Sequence, residues 1–240
     1  EINRLSENYR NLINKHRPVM GKRGENLLYN LPKLKDVLPM LDHENVEIRL
    51  LFQILFRLSW RNRNLNEAKY GINIFKENNK WFYYFTPEQQ KAPIRSHDVE
   101  IPIKGLIPKQ IISTLEAYLE AHPRKHGEYL FEKKIDIHGK QVPFDNSFLC
   151  NHVKHHMKKK LNGMKCSPTS FRSIITSAFV KKTGAYHHSQ VYLWHKLNLS
   201  SSMYSYLVPD IDLAVRKVNS FIDWYIEKIK DKNKIDVNSS

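Results

Sequence analysis

Between Gly71 and Ile103 three strand-like segments follow one another with no helical stretch between them, while both flanks read as helix, and this constrains the fold more than any other feature. The segments are Gly71 to Phe75, Lys80 to Thr86 and Asp98 to Ile103. The turn-prone Glu77-Asn78-Asn79 joins the first two, and a connection containing Pro87, Lys91 and Pro93 leads to the third. Parallel neighbours need a long crossover, usually a helix, so this spacing predicts a small three-stranded antiparallel sheet. Upstream, Leu34, Val37, Leu38 and Leu41 form one apolar face, and Val46, Ile48, Leu50, Leu51, Ile54, Leu55 and Leu58 predict a helix buried in the core. Beyond Pro108 helical periodicity is read over 109–121, about 145–161, 169–182, short pieces within 189–206, and 210–230. The expected fold class is therefore α+β, predominantly helical, with a small three-stranded antiparallel sheet.

The organisation expected along the chain has three parts. Residues 1–30 are polar and basic, broken by Lys15-His16-Arg17-Pro18 and Gly21-Lys22-Arg23-Gly24, and read as a linker or the end of an upstream DNA-binding module. Residues 31–230 read as one folded domain, and 231–240 as a polar tail. With 41% hydrophobic residues, the chain has ample material for a buried core. A net charge of +15 implies a polyanionic partner: nucleic acid, an anionic membrane surface or an acidic protein. Nucleic acid leads, because no apolar run approaches the roughly 18 residues needed to span a bilayer. The opening Glu-Ile-Asn-Arg lacks the apolar core of a signal peptide, and Cys150 and Cys166 are too few for a disulfide scaffold. A reducing, intracellular compartment is the expectation.

Several residues carry chemistry in a suggestive order. Arg61-Asn62-Arg63-Asn64-Leu65 follows the apolar helix abruptly; Ser167-Pro168-Thr169-Ser170-Phe171-Arg172 opens a later helix; and Leu193-Trp194-His195 is followed nine residues on by Tyr204. Arg61, the β-region lysine Lys91, Arg172, His195 and Tyr204 in this order resemble the catalytic domain of the tyrosine recombinases, the phage-integrase family, over about residues 31–206. Phosphodiester cleavage by a side-chain oxygen builds negative charge on the nonbridging oxygens, and preorganised guanidinium groups stabilise it. Arg61 and Arg172 suit that task. Surrounding positive charge favours the phenolate of a tyrosine, the role given to Tyr204. The resemblance further implies that His195 hydrogen-bonds the phosphate and that Lys91 protonates the leaving 5′ oxygen. It also implies double-stranded DNA sites as substrate, a homotetramer exchanging C-terminal helices, and neither metal nor ATP. Integration or excision of a mobile element would follow, in the nucleoid-bearing cytoplasm or, in a eukaryote, the nucleus.

Two positions depart from the family pattern. Thr169 stands where a histidine is expected; its hydroxyl can hydrogen-bond a phosphate but is no general base near neutral pH. Trp194 stands where a glycine usually precedes the histidine. Arg57 and Arg63 compete with Arg61, Tyr206 competes with Tyr204, and Tyr192 is a further neighbour. Cys150, His152, His155, His156 and Cys166 match no zinc-ligand spacing; with Lys154 and Lys158 to Lys160 they read as a basic helix face toward DNA phosphates, or as a solvated face. The alternatives to a recombinase are a telomere resolvase or type IB topoisomerase-like enzyme, and a catalytically silent DNA-binding or architectural protein.

Overall fold

A computed structural model describes residues 33–90, 94–96, 99–135, 138–160, 166–194 and 211–238, all within the unit Pro32–Ser240. After a short helix α1 (Leu34–Val37) and a 3-10 turn (Leu38–Asp42) comes α2 (Val46–Arg57). The Asn45 side chain caps α2 by accepting from the Ile48 N–H at 3.0 Å, satisfying one of the donors a helix start leaves unpaired. From Leu50 to Leu58 every residue is buried. A helix buried on all sides belongs at the centre of the core, and α2 packs against both α4 (Lys109–Ala121) and α6 (Pro168–Thr183). Phe171 of α6 sits 5.4 Å from Phe52 and 4.9 Å from Phe56, ring centre to ring centre.

The sheet has the order β1 (Ile74–Glu77), β2 (Lys80–Phe85), β5 (Ile103–Leu106), antiparallel throughout. Asn78 and Asn79 both have positive φ, 47° and 58°, which a two-residue turn needs if its twist is to match the strands it joins. Asparagine tolerates that region better than most residues. Along β2 burial alternates, with Trp81, Tyr83 and Phe85 on the core face. Trp60 wedges between α2 and the sheet, its ring 4.8 Å from Phe85 and 5.9 Å from Tyr83. The helix-rich fold with one small three-stranded antiparallel sheet is the class the sequence predicts.

The third strand lies elsewhere than expected. Instead of 98–103, the sheet recruits Ile103–Leu106, while β4 (Val99–Ile101) pairs with β3 (Ile94–Ser96) as a separate hairpin. Pro102 stands between the two, and its missing N–H and fixed φ end one ladder before the next begins. Gly105 lets β5 close on its neighbours, since a Cβ there would lie 2.5 Å from the Tyr83 hydroxyl and 2.7 Å from Asp212 Oδ1. A further hairpin, β6 (Glu132–Ile135) and β7 (Gln141–Pro143), occupies a stretch read as belonging to an almost wholly helical half.

Of the remaining helices, α5 (Asn146–Lys160) and α6 fall close to their expected limits, α7 (Tyr186–Tyr192) begins ahead of the 189–206 stretch, and α8 (Ile211–Asn238) starts where expected. The last runs beyond residue 230, so its backbone takes in residues 231–238 of the polar tail. Ser167 precedes Pro168 at the first helical position of α6, and Gly184 ends that helix at φ 69° with its N–H on the Val180 carbonyl. Among the described residues no helix is long and apolar enough to cross a membrane.

Candidate active site

Three of the expected site residues lie among those described: Arg61, Thr169 and Arg172. Lys91, His195, Tyr204 and the rival Tyr206 lie outside the described residues.

Arg61 stands at the N-cap of α3 (Asn62–Glu67), its carbonyl receiving the Leu65 N–H at 3.0 Å. Its half-buried side chain donates from Nη2 to the Trp194 carbonyl at 3.4 Å. Arg172 points from the first turns of α6 into the core side of the same place and is 7% exposed. Its Nη2 donates to the Leu193 carbonyl, one residue earlier in the same turn. Two guanidinium groups from helices far apart in the chain thus converge on consecutive carbonyls. No ion pair joins either to a carboxylate among the described residues.

The electrostatics follow from that shortage of negative charge. Burial, and then the positive charge of Arg61 beside it, push the Arg172 guanidinium down to about 10. Burial alone lowers that of Arg61. Both stay protonated at neutral pH, so the site is a fixed double cation with low-dielectric walls on one side. Such a place favours an anion with several oxygens, because each guanidinium offers five N–H donors and one carbonyl engages few of them.

The two rival arginines are differently occupied. Arg57, at the end of α2, pairs with Asp223 at 2.9 Å and donates to Asn219 Oδ1 at 3.0 Å, while Asn219 returns a hydrogen bond to the Arg57 carbonyl at 2.9 Å. It ties α2 to α8. Arg63 is exposed and pairs with Glu67 one turn along its own helix, at 2.8 Å. Tyr192 is fully buried, its hydroxyl donating to the Phe56 carbonyl, and burial raises its pKa above the ordinary range for a phenol. Such a phenol holds its proton and packs the core.

Thr169 occupies the second position of α6, exposed, three residues before Arg172 and so on the same helix face. Trp194 adopts φ 53°, a left-handed conformation, yet is buried against β2. Its ring lies 6.4 Å from Tyr83, nearly parallel, and 5.7 Å from Phe85. Sequence reasoning noted the substitution of tryptophan for glycine at this position. It did not anticipate that the backbone here would keep a conformation glycine favours, or that the two carbonyls of this turn would serve the arginines.

The histidine-rich segment is a face of α5. His156 contacts His152, His155 and His43 at ring distances of 4.8, 5.3 and 5.2 Å, and His152 stacks on Phe148 at 5.3 Å. Cys150 receives the Asn62 amide at 3.8 Å, whereas Cys166 is buried at the start of α6, where burial pushes its thiol up to about 12. Among the described residues no three His, Cys, Asp or Glu side chains are grouped to hold a metal ion. Lys154, His155 and Lys158 lie exposed on one side of this helix, and α5 contains no acidic residue.

No protein-family model matches the sequence, and no curated protein matches it. Among solved structures the chain is similar to a crystal structure of XerA recombinase, with a TM-score of 0.43 and 17% sequence identity over 87% of this chain. It spans 66% of that protein's length.

Proposed function

We propose that the protein cleaves and rejoins DNA as a tyrosine-type strand transferase, forming a 3′-phosphotyrosyl link without metal or ATP. The observation that carries this reading is the convergence of Arg61 and Arg172, two buried or half-buried cations without a carboxylate partner among the described residues, on the carbonyls of Leu193 and Trp194, which precede His195 in sequence. Unpaired buried charge costs stability, so its retention favours a role for an anion that comes and goes. The net charge of +15 supports nucleic acid as the source of that anion.

In this reading the two guanidinium groups bind the nonbridging oxygens of the scissile phosphate and offset the charge that builds there. The Tyr204 phenolate attacks the phosphorus, the bond to the 5′ oxygen breaks, and Lys91 supplies the proton that oxygen takes up. Attack by a 5′ hydroxyl reverses these events, so the phosphodiester energy is conserved in the covalent link. His195 donates a further hydrogen bond to the phosphate, and the Thr169 hydroxyl binds a phosphate oxygen, leaving no general base at that position. Residues 31–230 form the catalytic domain, with 1–30 a basic linker or the end of an upstream DNA-clamping part. Four protomers act on two sites, exchanging C-terminal helices, to integrate or excise a mobile element in the nucleoid or nucleus.

Incubation with a nicked suicide duplex tests the proposal. A covalent protein–DNA adduct is expected with the wild type and with Tyr206→Phe, and its loss with Tyr204→Phe. An adduct that survives Tyr204→Phe but disappears with Tyr206→Phe reassigns the nucleophile. Absence of adduct across all duplexes, with salt-dependent DNA binding retained, favours the architectural alternative.

A further inference from the structure

We infer that Trp194 is a positioning residue for the arginine pair: its buried indole holds its own backbone left-handed, which sets the Trp194 carbonyl on Arg61 beside the Leu193 carbonyl that receives Arg172. The inference rests on the reading of that pair as a phosphate site.

The turn would not hold itself in this form. At φ 53° a residue bearing a Cβ crowds its own carbonyl, and tryptophan has none of the local hydrogen-bonding that lets asparagine visit the region. The crowding lowers the population of that conformation by a factor of about five to thirty relative to glycine. Something outside the turn must hold it. The indole is 2% exposed and lies in a box of rings, nearly parallel to Tyr83 and tilted on Phe85, both of which Trp60 braces from the α2 side. Its N–H finds no acceptor there among the described residues, so ring contact rather than a hydrogen bond retains it. The backbone is tied at the same point, with the Leu193 N–H on Ser189 at 3.0 Å and the Trp194 N–H on Val191 at 2.9 Å.

The end of a helix leaves carbonyls without intrahelical partners, and cations are their natural company. Here Leu193, right-handed, and Trp194, left-handed, present two in succession, and each receives a different arginine. The separation of the guanidinium groups is thereby set by the step between neighbouring carbonyls. A carboxylate would also hold them, but would consume the charge that a phosphate needs.

The test compares Trp194→Ala, Trp194→Gly and Trp194→Phe in the full chain. Affinity for inorganic phosphate is read from the Nε–H resonances of Arg61 and Arg172, assigned with Arg61→Lys and Arg172→Lys. Adduct rate at saturating nicked DNA, DNA affinity and melting temperature are followed alongside. Glycine and alanine empty nearly the same space, so packing alone gives them equal effects or favours alanine. The positioning role predicts the reverse order. Trp194→Ala should weaken phosphate binding and slow the adduct at least about tenfold, with DNA affinity within about threefold, and Trp194→Gly should regain about fivefold of that loss at a similarly lowered melting temperature. Trp194→Phe, which keeps a ring in the box, should stay within about fivefold of wild type.

A glycine variant no better than alanine in phosphate binding overturns the inference. Should neither fold, Phe85→Leu loosens the box without replacing a residue of the turn, and unchanged phosphate affinity in that variant overturns it equally. A wild type that forms no adduct while the glycine-over-alanine order holds for phosphate leaves the positioning role standing and removes the cleavage reading. An adduct-forming wild type without that order does the opposite.

Discussion

Arg57 and Arg172 are almost equally buried, at 6% and 7% exposure, and they are held in opposite ways. At the junction of α2 and α8, Arg57 meets a carboxylate and an amide that between them answer both its charge and its carbonyl. At the junction of α3 and α6, Arg172 meets a second guanidinium and a neutral carbonyl. One arrangement closes a charge inside the fold; the other leaves it open. A buried charge is tolerated when paired and expensive when not, so the two regions separate an arginine that assembles the protein from one that can hold a ligand. Arg63, on the surface with Glu67, belongs to neither kind.

The largest effect that would sharpen this contrast lies at the open site. Arg172→Ala is expected to reduce adduct formation on nicked DNA by about a hundredfold to a thousandfold, the range seen when one preorganised donor to a developing oxyanion is removed. Its melting temperature should change little, because the lost charge had no carboxylate partner to abandon. A large drop in stability with modest loss of adduct would break the comparison. Arg57→Met should do the converse, costing about 2–3 kcal/mol in denaturant unfolding, reduced from the fully buried case because Asp223 reaches solvent. Adduct formation by the folded fraction should stay within about threefold.

A pH series sharpens the same point. Burial and the neighbouring Arg61 lower the folded-state pKa of Arg172 to about 10, below its unfolded value, so its charged form is disfavoured in the empty fold. A bound phosphate favours the charged form. Above the second ionisation of phosphate itself, affinity at the pair should therefore hold up to about pH 10 and fall as pH rises through that value, at an edge that moves lower in Arg172→Lys, whose ammonium meets the same burial and the same Arg61. The smallest expected effect is at the surface: Arg63→Ala should shift stability by less than about 0.5 kcal/mol and leave the adduct rate alone.

Much of this architecture is written in local patterns. The apolar run of α2, the helical periodicity of α4 and α6, and the paired asparagines of the β1–β2 turn each need only neighbours in sequence to be recognised. The third strand was harder to place, because Val99–Ile101 and Ile103–Leu106 are equally strand-like and only the break at Pro102 divides them between two sheets. The β6–β7 hairpin is short and carries few apolar residues, so no alternation stood out against the helical flanks. At the site, Arg61 and Arg172 stand out by residue type and setting. Their acceptors do not, since a backbone carbonyl is the same at every position.

The sequence by itself determined the helix-rich class with one small antiparallel sheet, the strong positive charge, and which side chains are chemically able to bind a phosphate. Only the tertiary structure decided which arginines are occupied. Arg57 finds its partner Asn219 at a separation of 162 residues, and Arg61 reaches Trp194 across 133. The left-handed backbone of Trp194 is likewise a tertiary product, against the local preference of its residue type, because burial against Tyr83 and Phe85 offsets a conformation the chain alone would avoid.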